Sequence, residues 1–343
     1  MRRRQAPISI IIIFLVLIVV MGMSLPISGP VESPDSSQLS SIPEETPEPT
    51  PEPTPEPTPE PTPEPTPEPT VPAMAEISHI YSPNAFVFDC RNDSFLYTRG
   101  DLDAQIYIAS VTKLFTAYVA LQYLDPNATI TVGKILETVP SDSSTANLSL
   151  KDRMTVTDFI YGMLLPSGND AARVVAVEVG KIIAGTTNQP ETTYMELFVE
   201  EMNTQAALLG LTGSHFVTPD GYHDPDHYST LRDMAVIGQL CLETPLIMEA
   251  AGTDVYRGNL LNNGKELLWI NGNRLLHKNR YDPSYYNEAS VGLKTGYTSH
   301  AGYCLLSAFE VDGGYVLIGV FGNGDSPSRY TDTQKLYDAI LTK

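Results

Sequence analysis

Ala109-Ser110-Val111-Thr112-Lys113 is followed in the chain by Ser167-Gly168-Asn169 and then by Lys294-Thr295-Gly296. A serine and a lysine three positions apart on a helix lie on one face, so the amine can reach the hydroxyl. Each string alone is a weak signal. Together and in order, they describe a serine acyl-transfer site assembled from three separate segments of chain. The apolar stripe Leu114, Phe115, Tyr118, Val119 and Leu121 predicts a helix opening at Ser110.

Working outward, residues 85–89 and 95–97 read as strands around a turn at Arg91-Asn92-Asp93. Helical patterns follow over 156–165, 170–179 and 192–209. Thr230-Leu231-Arg232-Asp233 resembles a capping box and opens a helix toward Cys241. After Ser290 the pattern returns to strands, at 292–297, 303–311 and 315–321, the last two joined by Asp312-Gly313-Gly314. A helix over 332–341 ends the pattern. Strands at both ends with helices between predict an α/β fold: one antiparallel sheet formed by the two ends of the domain, flanked by helices, with an inserted all-helical lobe. The active site is expected in the cleft between sheet and lobe.

In that cleft Ser110 is the expected nucleophile and Lys113 its base. Lys113 qualifies only if burial and a neighbouring positive charge, for which Lys294 is the candidate, lower its pKa. Asn169 can fix a substrate amide or hold Lys113, and Ser167 can relay a proton to a leaving amine. Lys294, Thr295 and Gly296 are placed on an edge strand. Gly296 allows close approach of an extended peptide, and the two side chains attract a carboxylate.

The chain has 343 residues and a net charge of −20. Residues 74–343 carry 18 basic and 31 acidic residues, a net of −13, which argues against nucleic-acid binding. Residues 1–7 contain Arg2-Arg3-Arg4, and residues 8–25 are apolar except for Ser9, Gly22 and Ser24. As a helix that run spans ~27 Å against the ~30 Å of a bilayer core. It reads as a membrane anchor or a cleaved signal segment. The anchor is favoured, because Pro26 crowds the only small-residue cleavage site. Either way residues 26–343 lie outside the cytoplasm. Of the 28 prolines, 17 fall between Pro26 and Pro72, and residues 46–69 are six Thr-Pro-Glu-Pro units. Polyproline II makes those units a stalk of ~75 Å within a disordered segment, residues 26–73.

Cys90, Cys241 and Cys304 read as buried free thiols. The sequence His223-Asp224-Pro225-Asp226-His227 suggests zinc, but Pro225 removes the helical spacing, so a surface loop without metal is expected. No cofactor is implied.

Beyond the three motifs, most of residues 80–343 resembles the low-molecular-mass penicillin-binding proteins that act as D-alanyl-D-alanine carboxypeptidases. The resemblance is carried by 164–172, by 198–210, by Pro219-Asp220-Gly221, by Tyr228-Ser229-Thr230 and by 292–303. It implies the penicillin-binding transpeptidase and β-lactamase type of fold. It also implies a serine peptidase hydrolase that removes the terminal D-alanine from peptidoglycan stem peptides, with β-lactams as covalent inhibitors. The oxyanion hole is implied to be the backbone N–H groups of Ser110 and Tyr297. Arg329 matches the family's arginine for the substrate carboxylate, a task suited to bidentate pairing. Residues 245–290 match weakly. Many members carry a further β-rich domain and a C-terminal anchor, whereas here the N-terminus is expected to serve.

Two other functions compete for the same motifs. A class A β-lactamase needs a glutamate for the deacylating water. Val199 stands where it would fall in Val199-Glu200-Glu201-Met202-Asn203, so a penicilloyl-enzyme should persist. A non-catalytic wall or β-lactam sensor would need the fold without turnover, yet every catalytic residue type is present. The sequence leaves open carboxypeptidase against endopeptidase preference, and oligomeric state.

Overall fold

The computed structural model describes Ile77 and residues 79–341. The expected anchor or signal segment and the proline-rich stalk lie outside those residues. Strand β1 (Asn84–Asp89) turns back into β2 (Ser94–Arg99), and the chain leaves the sheet. A 3-10 turn at Ala109–Val111 leads into α1 (Thr112–Ala120). The insert continues with β3 (Thr129–Thr131), β4 (Arg153–Thr155), α2 (Val156–Leu164), α3 (Asn169–Ala184), α4 (Glu191–Leu208), α5 (Leu231–Leu242) and α6 (Pro245–Gly252). After the ribbon β5 (Val255–Asn259) and β6 (Glu266–Ile270), the chain returns to the sheet as β7 (Ser290–Thr298), β8 (Gly302–Val311) and β9 (Gly314–Asn323). It ends in α7 (Ser326–Leu341).

The five sheet strands are antiparallel in the order β2-β1-β9-β8-β7, so both ends of the domain build one sheet and β7 is an edge. The insert is mainly helical and also carries two small ribbons, β3–β4 and β5–β6, which the sequence pattern did not separate from loop.

Strand alternation divides the core in two. Ala85 and Val87 of β1, with Leu305, Phe309, Ile318 and Val320, face Tyr330, Leu336 and Ile340 of α7. Phe86 and Phe88 point the other way, toward the helices of the insert. Phe86 lies opposite Gly319 in the ladder, and its ring occupies the space a side chain at 319 would need. Truncating such a fully buried ring costs about 3–5 kcal/mol.

Local rules fix the ends. Thr155 and Asp158 form a reciprocal capping box on α2. Thr230 caps α5 from one side only, because the Asp233 carboxylate turns to Gly213 N and Ser214 Oγ. Asp312 and Gly313 both have positive φ, as a two-residue hairpin between right-twisted strands requires. The last helix begins at Ser326, six positions before the sequence pattern placed it. Asp325 Oδ1 accepts from Ser328 N there, a capping arrangement at the helix start. Arg329 therefore lies within the first turn of α7 rather than before it. Among the described residues no single helix is long and apolar enough to cross a membrane.

Candidate active site

Ser110 sits on the 3-10 turn that feeds α1, and Lys113 follows on the helix. Lys113 is fully buried, and its Nζ donates to Ser110 Oγ (2.9 Å), Asn169 Oδ1 (2.7 Å) and the Asp220 carbonyl (2.6 Å). Burial pulls its pKa down to about 8. Asp220 and Asp170 work against that shift, and Arg173 adds to it. The geometry orients the base. A neutral amine has two N–H groups and one lone pair. Asn169 and the Asp220 carbonyl take the two hydrogens, which leaves the lone pair for the serine hydroxyl.

Lys294 is also buried, with Nζ donating to the Thr295 carbonyl (3.0 Å). It was expected to be the cation that depresses Lys113. Instead its own pKa lies well below the usual lysine value, through burial first and then through repulsion from Lys113 and Arg329. Burial and nearby positive charge both disfavour the charged form of an amine.

Gly296 was expected to let a peptide approach. Its constraint here is internal: a Cβ on Gly296 would lie 2.8 Å from the Ile108 carbonyl and 3.1 Å from Ser110 N. The absent side chain lets β7 press against the Ser110 turn. Tyr297 follows, exposed, with its ring 4.3 Å from that of Tyr303. Thr295 is half-buried beside Gly272.

Asn169 opens α3 and is buried. Ser167, two positions earlier, has φ +63, and its carbonyl accepts from Ser144 Oγ (2.7 Å). No hydrogen bond joins its hydroxyl to Ser110, Lys113 or Asn169. Arg329 is buried rather than solvated. Its Nη1 donates to the carbonyls of Gly296 (3.2 Å) and Cys304 (3.3 Å), and its Nε has no protein partner.

These elements frame a cleft of about 340 Å³. Ser110, Asn169 and Tyr297 line it. So do residues that the sequence reading did not single out for the site, among them Asp142, Ser143, Ser144, Tyr222 and His300. Nothing marked the Asp142 stretch except its polarity. His223 also lines the cleft, from the loop expected for it.

His227 departs from the surface position expected for it. It is 3% exposed. Its Nδ1 accepts from Val217 N and Thr218 N, so in the neutral ring Nε2 carries the hydrogen and meets Thr112 Oγ1 at 2.8 Å. Thr112 in turn donates to the carbonyl of Ala109 (2.8 Å), a residue held at φ +48. Burial lowers the His227 pKa to about 4. Asp220 is buried and paired with Arg173 Nε (2.6 Å), which fixes the carbonyl that receives Lys113.

Among the described residues no group of three or more His, Cys, Asp or Glu is placed to hold a metal. The three cysteines are free; Cys241 and Cys304 are buried, and Cys90 is half-buried. The Val199 segment lies on α4, where Asn203 bonds to main chain at Val199 and Phe216. The cleft lining includes no carboxylate from α4, and its one carboxylate is Asp142.

The profile of the D-alanyl-D-alanine carboxypeptidase family matches residues 70–325. The D-alanyl-D-alanine carboxypeptidase of Streptomyces sp. strain K15 is 30% identical over 249 residues, which are 70% of this chain and 80% of that protein. D-alanyl-D-alanine carboxypeptidase DacF of Bacillus subtilis is 28% identical over 78% of this chain and 64% of its own length. The crystal structure of the Streptomyces K15 DD-transpeptidase superposes with a TM-score of 0.68 at 27% identity, covering 78% of this chain and all of that one. Penicillin-binding protein D2 of Listeria monocytogenes, in its ampicillin-bound form, shares the fold with a TM-score of 0.62 at 24% identity.

Proposed function

The chain belongs to the D-alanyl-D-alanine carboxypeptidase family, and from that premise we propose that it removes the terminal D-alanine of peptidoglycan stem peptides through an acyl-enzyme on Ser110. The observation that carries the reading is the pair of bonds from Lys113 Nζ to Asn169 Oδ1 and the Asp220 carbonyl, which in the neutral amine leaves the lone pair for Ser110 Oγ, 2.9 Å away.

Ser110 Oγ attacks the carbonyl carbon of the penultimate residue while Lys113 takes the hydroxyl proton. The developing oxyanion is received by the N–H groups of Ser110 and Tyr297, a role supported by the close approach of Gly296 to Ser110 N. The C–N bond then breaks, and the proton held by Lys113 goes to the departing D-alanine amine, with Ser167 as the expected relay. Water completes the cycle by attacking the ester. Asn169 keeps its NH₂ for the substrate. Lys294, Thr295 and Arg329 serve the terminal carboxylate from β7 and from behind it.

A β-lactam follows the same first step, but its leaving nitrogen stays tethered to the adduct. With no carboxylate from α4 in the cleft, the adduct should be long-lived, so penicillin acts as an inhibitor. Residues 1–73 support a head held outside the cytoplasmic membrane by its N-terminal segment, with the stalk as spacer. Membrane fractionation and N-terminal sequencing of the mature chain test that placement.

The central test is intact mass spectrometry with penicillin, peptide mapping of the adduct and an assay of D-alanine release from a pentapeptide. A stable adduct on Ser110 together with D-alanine release is expected. An adduct on another residue, or none, overturns the assignment of Ser110. Rapid loss of the adduct with release of penicilloate indicates a β-lactamase, and an adduct without peptide turnover indicates a sensor.

A further inference from the structure

His223 and His300 stack face to face at the cleft, with ring centroids 3.6 Å apart and planes 8° from parallel. They come from opposite walls. His223 is in the loop that follows Asp220, whose carbonyl receives Lys113. His300 is in the turn between β7 and β8, three positions after Tyr297. Both line the cleft that holds Ser110, and neither bonds to Ser110, Lys113 or Asn169.

The surroundings hold the pair in place. Tyr107, from the segment before α1, sets its edge against the His223 ring at 5.0 Å. Ser299 Oγ lies 3.3 Å from His300 Nδ1. The neighbouring Tyr222 hydroxyl donates to Asp142 at 3.2 Å, which ties the same loop to the other side of the cleft. The charged groups nearby are few. Asp224 acts on His223 from its own loop, and the Arg173–Asp220 pair lies behind that loop. No carboxylate sits between the two rings to neutralise a proton taken up by either.

We propose that the His223–His300 stack is a cross-cleft clasp that positions the Asp220 carbonyl and the Tyr297 end of β7, and that protonation of the pair releases it. Two neutral imidazoles stack favourably, whereas two imidazolium rings at 3.6 Å repel. Burial first, and then His300, hold the pKa of His223 below its usual value, with Asp224 opposing. The open form therefore takes up protons more readily than the closed one. Closure is complete above the ordinary histidine pKa of about 6.5 and weakens as pH falls below it. The two histidines act through their neighbours and are positioning residues.

The role in catalysis rests on the serine reading above, so the experiment pairs an activity profile with a measurement that does not need activity. Acylation of the full chain by a fluorescent penicillin is followed from pH 8 to pH 5, for wild type and for the double variant His223→Phe/His300→Phe. Loss of neutral Lys113 alone lowers the rate about tenfold per pH unit on the acid side. Wild type should fall more steeply below pH 6, by clearly more than tenfold per unit, as protons taken up by the pair add to the one on Lys113. The phenylalanine variant keeps stacked rings without the charge and should stay near tenfold. In parallel, histidine titration by NMR should show the His223 midpoint rising when His300→Phe removes the neighbouring charge, while the part due to burial remains. Equal acid limbs in wild type and variant, or an unchanged His223 midpoint, overturn the clasp. Absence of acylation at every pH would instead refute the reading of Ser110, and the histidine titration would then decide the clasp on its own.

Discussion

His227 Nε2 lies 2.8 Å from Thr112 Oγ1, and through that hydroxyl a buried histidine reaches the strained residue before Ser110. The link explains why Ala109 can hold φ +48, a conformation that costs a non-glycine residue about 1–3 kcal/mol. His227 touches no reacting atom. It sets the turn from behind by accepting from two main-chain N–H groups and donating once.

This arrangement makes stability depend on pH in a stated direction. The pKa of His227 is about 4 in the folded chain and about 6.5 in the unfolded one. The unfolded chain therefore takes the proton first on acidification. The contribution of His227 is complete above pH 6.5 and is lost as pH falls through 4, on the order of 3 kcal/mol in all. Urea midpoints of wild type and His227→Gln should differ clearly at pH 7 and converge toward pH 4. A gap that stays constant across that range would assign the acid sensitivity to another group.

Gly296→Ala should disable acylation with a modest loss of stability. The added methyl would meet the Ile108 carbonyl at 2.8 Å and Ser110 N at 3.1 Å, so β7 has to move off the Ser110 turn. A misplacement of about 1 Å near the reacting atoms costs on the order of 100-fold in rate. Acylation kinetics and a thermal melt on the same sample check this. A variant that acylates normally would show that the spacing between β7 and Ser110 is not critical.

Lys113→Ala should remove three to six orders of magnitude of the acylation rate, a range of about 10³–10⁶ for a member of a cooperating set. In wild type the neutral amine is the active form. Activity should therefore plateau above pH 8 and decline below it, since the pKa of Lys113 is about 8. A pH profile of kcat/KM that is flat from pH 9 to 6, or near-normal turnover by the variant, would show that another group activates Ser110.

What the sequence disclosed and what it hid divide along physical lines. Local rules were legible: the helix behind Ser110, the Thr230 cap of α5, the Asp312-Gly313 hairpin and the edge position of β7 were all read from the chain. The two short ribbons escaped, because three- to five-residue strands carry too little alternation to stand out from loop. His227 was misread for a related reason. Its sequence neighbours, Asp224 and Asp226, suggest a solvated loop, while its burial is decided by Thr112, 115 positions away. Lys294 shows a third limit. Its residue type announced a cation, but burial beside Lys113 and Arg329 opposes the charge. Asp142 and His300 entered the cleft from polar turns with no motif to mark them.

Arg329 is expected to read the free C-terminal carboxylate of the substrate. Its guanidinium is held behind β7 by the Gly296 and Cys304 carbonyls, with the Tyr330 and Tyr303 rings at 4.9 and 5.4 Å. Those contacts leave Nε without a protein partner. A buried cation with an unused donor beside the Thr295-Gly296 strand suits an anionic group bound on that strand. Removing a charge-assisted contact costs roughly 1.5–3 kcal/mol, or about 10- to 150-fold in kcat/KM. Arg329→Ala should lose that factor on a peptide ending in a free acid and much less on its C-terminal amide. Arg329→Lys keeps a charge without the planar fork and should recover part of the difference. Equal losses on acid and amide would make Arg329 a support for the β7 main chain alone and leave the carboxylate to Lys294 and Thr295.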